Sequence, residues 1–376
     1  MAGTAGFTVI GQASGRFTVS ANLLNPGAGH TATLLADGSI LVAGGGTLDI
    51  DDLLIPDNGS ETLSPSGVAT LTGPLSSARQ FHTATLLPNG QVLITGGNQA
   101  SPYLDGTTSA ELYDPATRKY TSGGNMTTAR VGHTASLLAD GRVLIFGGSN
   151  TGTPSAEMYD PANGTFTALP SPLFWRSGHT ATVLPTGKVL IAGGQDSTGA
   201  TLSTAEVYDP STNSFRAVGE MGEKRTHHTA TLLPNGRVLI GGGGTVGASG
   251  SSGPDTSAFP QLISSVLSGT AELFDPQTET FSFTGTMTTA RSSHTASLLP
   301  DGTVLLCGGT KGYGYYGYSG DNTAEIYDPA AGAFKSAGTM NTGKFWHTAT
   351  VLPNGTVDLI GGISQDYPLL VVETFK

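Results

Sequence analysis

The sequence predicts an all-β chain: a seven-bladed β-propeller of four-stranded antiparallel blades. Three repeated features carry that prediction. The tripeptide His-Thr-Ala occurs seven times, beginning at His30, His82, His133, His179, His228, His294 and His347. A Gly-Gly pair starts fourteen residues after each histidine, at Gly44, Gly96, Gly147, Gly193, Gly242, Gly308 and Gly361. Then, at variable distance, comes an Ala-Glu-x-aromatic-Asp-Pro landmark at Ala110, Ala156, Ala205, Ala271 and Ala324, with weaker versions at Ser60 and Val371. A self-similar period of roughly fifty residues is the signature of a repeat architecture whose units bury their faces on one another.

Each repeat divides into four strands. Between histidine and Gly-Gly, two apolar runs flank a turn such as Pro-Asn-Gly or Ala-Asp-Gly, whose residues tolerate the positive φ of a tight hairpin; these are strands a and b. The glutamate landmark is strand c, and the aromatic beyond its Asp-Pro turn (Tyr120, Phe166, Phe215, Phe281, Phe334) marks strand d. From that glutamate to the next histidine the spacing is 22 residues in five cases and 21 in the sixth, whereas the distance from Gly-Gly to the glutamate runs from 9 to 29. Length variation is therefore confined to the b–c connections. At the ends, residues 16 to 23 resemble a strand d and the chain stops after a strand c, so both termini are expected to share the last blade and close the ring. Phe7 begins a second candidate for strand c, competing with the run at Val371. The whole chain, residues 1–376, is expected to form one domain.

Composition narrows the function classes. Fifty-five glycines and few charged residues suit many turns and short strands, and no apolar run is long enough to span a membrane. The N-terminal stretch has neither a basic nor an apolar segment of signal-peptide type. A formal net charge of -11 argues against nucleic acid and anionic membranes as partners. The single cysteine, Cys307, rules out an internal disulfide and any cysteine-rich metal site, and no cofactor or metal is expected.

The Arg–His lead into strand a, the Gly-Gly at the end of strand b and the aromatics on strands c and d resemble the kelch repeat family. The resemblance covers nearly the whole chain. It implies a propeller with strand a innermost, and a functional range from sugar oxidases and sugar isomerases to non-catalytic binding modules. Function must therefore be argued from the site.

In an a–b–c–d meander all b–c and d–a connections share one face, and that face collects the unusual residues. Six tyrosines lie in b–c connections: Tyr103, Tyr313, Tyr315, Tyr316, Tyr318 and Tyr367. Both tryptophans, Trp175 and Trp346, lie in d–a connections. A basic residue stands three positions before six of the histidines, at Arg79, Arg130, Arg176, Arg225, Arg291 and Lys344. Six such charges around the channel mouth would bind an oxyanion through guanidinium forks. The alternative is one internal ion pair per blade with the strand-c glutamates Glu61, Glu111, Glu157, Glu206, Glu272, Glu325 and Glu373. The seven repeated histidines read as structural, bonding backbone near the channel. His227, the one histidine outside the pattern, is the candidate for ligand contact or proton transfer. The residues between arginine and histidine vary from blade to blade, Phe81 among them, and specificity is expected there.

Three long b–c insertions can wall the mouth. One, from Gly46, carries Asp49, Asp51, Asp52 and Asp57 and reads as a solvated acidic loop. Another, from Gly244, turns apolar and is expected to place a short helix on the rim. The third is Lys-Gly-Tyr-Gly-Tyr-Tyr-Gly-Tyr-Ser-Gly, residues 311–320, read as an adaptable tyrosine lid. The sequence lacks a phosphate loop, a dinucleotide fingerprint and a nucleophile elbow. A copper radical oxidase of the galactose oxidase type would need a cysteine bonded to tyrosine. Cys307 instead occupies a strand-b position held elsewhere by Ala43, Thr95 or Phe146, and the adjacent Tyr-His ligand pair is absent.

The expected function is a non-catalytic binding module, monomeric and secreted or cell-surface in a bacterium. Its favoured ligand is a carbohydrate or acidic glycan on the b–c and d–a face, contacted by Arg79, Phe81, Arg130, Trp175, Arg176, Arg225, His227, Arg291, Tyr313, Tyr315, Tyr316, Tyr318, Lys344 and Trp346. The alternatives are a sugar oxidase or a sialic-acid mutarotase-like isomerase, and a protein-interaction scaffold.

Overall fold

The computed structural model describes residues 16–25, 27–48, 54–99, 106–148, 152–246, 265–314, 317–364 and 367–376. Seven four-stranded antiparallel sheets make the seven blades, and no helix occurs among the described residues. Blade 1 is built from Thr31–Leu34, Ile40–Ala43, Ser60–Leu63 and Ala69–Leu71, in the order a-b-c-d. Blades 2 to 6 repeat that order, with strands a at Thr83–Leu86, Thr134–Leu137, Thr180–Val183, Thr229–Leu232 and Thr295–Leu298. Each strand a neighbours the strands a of the two adjacent blades in an unbroken ring, so strand a is innermost.

Blade 7 closes the ring as expected from the two ends. Thr348–Val351 and Val357–Ile360 are its strands a and b, Val371–Phe375 is strand c, and Phe17–Asn22 is strand d, with Phe17 opposite Phe375. Val371–Phe375 thus fills the strand-c place; the competing segment at Phe7 lies outside the described residues.

Strand b explains the core. It is buried along its length in every blade, because both faces of each sheet are covered by neighbours and the strand must be apolar on both. Leu41 and Ala43 of blade 1 pack against Val92, Ile94 and Tyr113 of blade 2, and the pattern recurs around the ring. Strand-c and strand-d aromatics meet within six blades, as in Tyr159–Phe166 and Tyr327–Phe334, with ring centroids 4.8 and 4.9 Å apart.

One residue breaks the core pattern. The second position of strand b is Leu41, Leu93, Leu144, Leu190, Leu239 and Leu305 in six blades, and Asp358 in the seventh. Asp358 is buried at the seam between the last blade and the first, its carboxylate accepting a hydrogen bond from Thr374 and its pKa raised by desolvation. A cavity of about 190 Å³, lined by Ser20, Ser64, Asn354, Thr356 and Asp358, lies beside it. A buried carboxylate without a strong cationic partner costs stability that an apolar side chain of similar size recovers. Asp358→Leu is therefore expected to raise the unfolding free energy by about 1–2 kcal/mol, measured by urea denaturation at pH 7. A loss of stability would mean that the carboxylate is needed to hold the seam.

Candidate functional site

The basic residues before the histidines do not form a charged ring at the mouth. Arg79, Arg130, Arg176, Arg225, Arg291 and Lys344 are fully buried, and each is paired with the strand-c glutamate of its own blade: Glu111, Glu157, Glu206, Glu272, Glu325 and Glu373, at 2.7 to 3.1 Å. The arginine fork does more than neutralise. In blade 4, Arg176 Nη1 donates to the carbonyls of Gly193 and Thr204 while Nε reaches Glu206, tying the end of strand b to strand c. Glu206 also accepts the amide of Leu173 in the d–a connection. A guanidinium supplies five donors in a plane and is consumed by this junction, which leaves no charge for a ligand.

The repeated histidines form a second internal belt. Nε2 of each is hydrogen-bonded to the first threonine of strand a in the preceding blade, at 2.9 to 3.1 Å, and His30 closes the circle on Thr348. Their partners are thus threonine hydroxyls rather than chiefly backbone. Burial pushes their pKa values down, and the neighbouring arginine or lysine pushes six of them further. The Gly-Gly pairs sit where the next blade arrives. The amide of Gly45 donates to the Arg79 carbonyl at 2.8 Å, and a Cβ at Gly44 would lie 2.6 Å from that oxygen. Within the blade, a Cβ at Gly45 would lie 2.9 Å from the His30 Cβ, and this close approach is why glycine and histidine recur at a fixed interval.

Between these two belts lies the mouth. The residue just before each repeated histidine (Gly29, Phe81, Gly132, Gly178, His227, Ser293 and Trp346) has a φ between 52° and 65°. Amide hydrogen bonds link this ring from blade to blade: Phe81 to the Gly29 carbonyl, Gly132 to Phe81, Gly178 to Gly132, His227 to Gly178 and Ser293 to His227. Left-handed backbone is cheap for glycine and costs another residue about 1–2 kcal/mol. Three blades take glycine; four keep a side chain at that cost.

Those four side chains divide the mouth. Phe81 covers Gly29 and meets Trp346 edge-on at 5.3 Å, above a buried cluster of Ala28, Phe345 and Ile363. On the other side the His227 imidazole leans over Gly178, its Nδ1 3.2 Å from the Thr226 hydroxyl, and burial lowers its pKa so that it is neutral at pH 7. Trp175 stands outside this ring. It is half-buried in a d–a connection, at the position held by Ala78, Ala129 and Ala290 in other blades.

The b–c connections rise beside the ring. Isolated bridges such as Ala28↔Gly46, Thr226↔Gly244 and Phe345↔Ile363 join them to the d–a connections, so both share one face as the topology required. Four form hairpins: Gly46–Leu48 with Leu54–Pro56, Gly244–Val246 with Ser265–Leu267, Thr310–Gly314 with Gly317–Gly320, and Ile363–Ser364 with Tyr367–Pro368. The tyrosine stretch is thus a β-hairpin with Tyr313 opposite Tyr318, anchored at its base where Lys311 pairs with the buried Asp321. Tyr315 and Tyr316 lie outside the described residues, as do Tyr103, Asp49, Asp51, Asp52 and residues 247–264, where the short helix was expected.

Cys307 packs with Phe17, Leu305, Ala324 and Met340 in a buried cluster that contains no tyrosine among the described residues, and burial pushes its thiol up to about 12. Among the described residues, no three His, Cys, Asp or Glu side chains are grouped to hold a metal ion. The framework histidines are turned into threonine hydroxyls. The donor set described here does not fit a copper centre.

The ring of left-handed residues was not anticipated from the sequence. Its signal was glycine in three of seven copies at a fixed place before histidine.

Comparison with known proteins agrees with this architecture. The KLHDC2/KLHL20/DRC7 Kelch-repeats domain family matches residues 29–243. No curated protein matches the chain. Among solved structures, one titled as a novel fungal alcohol oxidase with catalytic diversity among the AA5 family, in complex with copper, is similar with a TM-score of 0.73 and 17% identity, over 96% of this chain and 75% of that one. A structure titled YjhT is similar with a TM-score of 0.61 and 12% identity, over 84% of this chain and 98% of that one. At these identities the likeness is one of fold. With its matched repeats and seven four-stranded blades, the chain belongs to the Kelch-repeats domain family.

Proposed function

We propose that the chain is a non-catalytic carbohydrate-binding module of an extracellular setting, with its site at the mouth ringed by Phe81, His227, Ser293 and Trp346. The observation that carries this reading is the four side chains kept in left-handed backbone where glycine serves in three sister blades. Left-handed side chains also stand at the c–d turns, where Arg118, Asn213 and Glu279 take the place of Gly164 and Gly332, so it is the convergence of rings at the mouth, Phe81 against Trp346 and His227 over Gly178, that points to a use for these side chains. An aromatic wall facing a neutral imidazole and a hydroxyl suits a sugar ring, which has apolar C–H faces and hydroxyl edges. Because the six basic residues are consumed by glutamates, the favoured ligand is a neutral sugar rather than an acidic glycan.

The test is a glycan array with wild type and Trp346→Gly. Glycine occupies this position in three blades, so the variant is expected to fold, with binding at least tenfold weaker. Unchanged binding would remove the mouth from the site, and an array without signal from the wild type would favour a protein partner. His227 favours a second reading, a kelch-fold sugar isomerase or oxidase: its imidazole is neutral at pH 7 and keeps an unprotonated ring nitrogen at the mouth, though burial makes it a weaker base than free histidine. Turnover of the bound sugar, lost in His227→Gly, would establish it.

A further inference from the structure

Blade 1 keeps the acid of the internal ion pair and lacks the base. Glu61 is buried like its six counterparts and accepts the amides of Leu24 and Asn25 at 2.9 and 3.0 Å, as Glu157 accepts those of Thr127 and Thr128. The place of the arginine is taken by Gly27. All 17 lysines and arginines of the chain are among the described residues, and none forms an ion pair with Glu61. A second side chain is missing from the same corner. The residue two before the glutamate is Ser109, Ser155, Thr204, Thr270 and Thr323 in blades 2 to 6, and Gly59 in blade 1. What remains is a cavity of about 10 Å³, room for one water-sized occupant, lined by Asn25, Gly27, Gly44, Gly59 and Glu61 among others. The carbonyls of Gly44 and Gly59 are the equivalents of those that accept the arginine Nη1 in blades 2 to 6, such as Gly193 and Thr204. Asp57 adds a second carboxylate beside them: a Cβ on Gly59 would lie 2.8 Å from its Oδ2.

We infer that this corner of blade 1 binds one water-sized monovalent cation, potassium or ammonium, held by the Glu61 carboxylate and the Gly44 and Gly59 carbonyls in place of the missing arginine. The site does not depend on the carbohydrate reading above. A carboxylate this deep calls for a counter-charge, because a buried charge is costly unless it is paired. Blade 7 shows that a guanidinium fork is not required: Lys344 serves Glu373 with an ammonium group 2.8 Å away. The room left in blade 1 is that of such a headgroup without its stem. Carboxylate and carbonyl oxygens accept from ammonium, and carbonyl oxygens replace the water shell of potassium. The place bears on the closure of the ring. Leu24 and Asn25 follow directly on Phe17–Asn22, the strand that completes blade 7, so a cation on Glu61 fastens the junction between the closing strand and blade 1.

The test is the melting temperature of the whole chain in the chlorides of potassium, ammonium, sodium and tetramethylammonium at one ionic strength. Tetramethylammonium is too large for the cavity and serves as the blank. Potassium and ammonium are expected to raise the melting temperature saturably by about 2–4 °C over the blank, and the smaller sodium by less. Gly27→Lys returns an ammonium group to the site from the chain itself. A Cβ at Gly27 meets its nearest neighbour, the Gly44 carbonyl oxygen, at an ordinary 3.6 Å, and the backbone there is not left-handed. That variant is expected to melt in tetramethylammonium as high as wild type does in potassium, and to be indifferent to the cation. Glu61→Gln removes the charge, keeps the outline and is expected to be equally indifferent, which decides the matter if the lysine variant does not fold. A wild type that melts alike in all four salts would overturn the site. So would a potassium response that survives in Glu61→Gln, or in a folded Gly27→Lys.

Discussion

Replacing Arg130 by leucine is expected to cost about 3–5 kcal/mol of unfolding free energy. The guanidinium is fully buried and makes bonds of 2.8 and 3.0 Å to Glu157, with a third at 2.7 Å to the Gly147 carbonyl. Leucine fills the volume but leaves the Glu157 carboxylate buried without its counter-charge. It also leaves the Gly147 carbonyl without its donor. Arg130→Lys is the informative partner, because blade 7 already uses Lys344 in this role, 2.8 Å from Glu373. A lysine keeps the charge and loses the fork, so about 1–2 kcal/mol is expected. Urea denaturation of the three proteins checks the order: wild type, then lysine, then leucine. A leucine variant within about 0.5 kcal/mol of wild type, the range of ordinary surface substitutions, would show that the pair is not a structural junction.

This junction was one of two readings the sequence allowed, and the reason is physical. A basic residue and a glutamate repeated once per blade satisfy either a ligand or each other, and spacing along the chain does not say how deep a side chain lies. The strands themselves were legible because strand b must be apolar on both faces and the hairpin turns need Asn-Gly or Asp-Gly. The closure by Phe17–Asn22 was legible for the same reason: the ends carry halves of one pattern. The hairpins of the rim were not. Gly314 and Gly317 pair across Tyr-Tyr, which carries none of the usual turn chemistry, and glycine-rich strands show no alternation. The left-handed ring was hidden by its own variety, since Phe81, His227, Ser293 and Trp346 share no side-chain property, only a backbone angle. Asp358 was visible in the sequence as the exception to six leucines, but its meaning depended on knowing that this position faces the seam.

Acid is expected to unfold the propeller in a steep transition that takes up several protons per molecule. His30 is pushed down to about 4, His133 and His228 to about 3, and the other four repeated histidines well below their ordinary value, chiefly because burial penalises the charged ring. In the unfolded chain the same groups protonate near pH 6.5. Between those limits the unfolded state holds more protons than the native one, so stability rises with pH through this window and is lost as pH falls below about 6.5. Each histidine contributes about 1.4 kcal/mol per pH unit well inside the window. Seven together approach about 10 kcal/mol per unit, comparable to the whole stability of a typical domain. Protonation also strikes at the belt itself, because a charged imidazole lacks the acceptor nitrogen of the neutral ring and lies beside an arginine or lysine in six blades. The check is a pH titration of urea stability, whose slope counts the protons taken up on unfolding. A slope of several protons per molecule between pH 5 and 6 is expected, reduced by one in His294→Gln, which keeps a side-chain donor toward Thr229. A slope near zero in that range, with unfolding only below about pH 3.5, would mean that the belt accepts protons while folded.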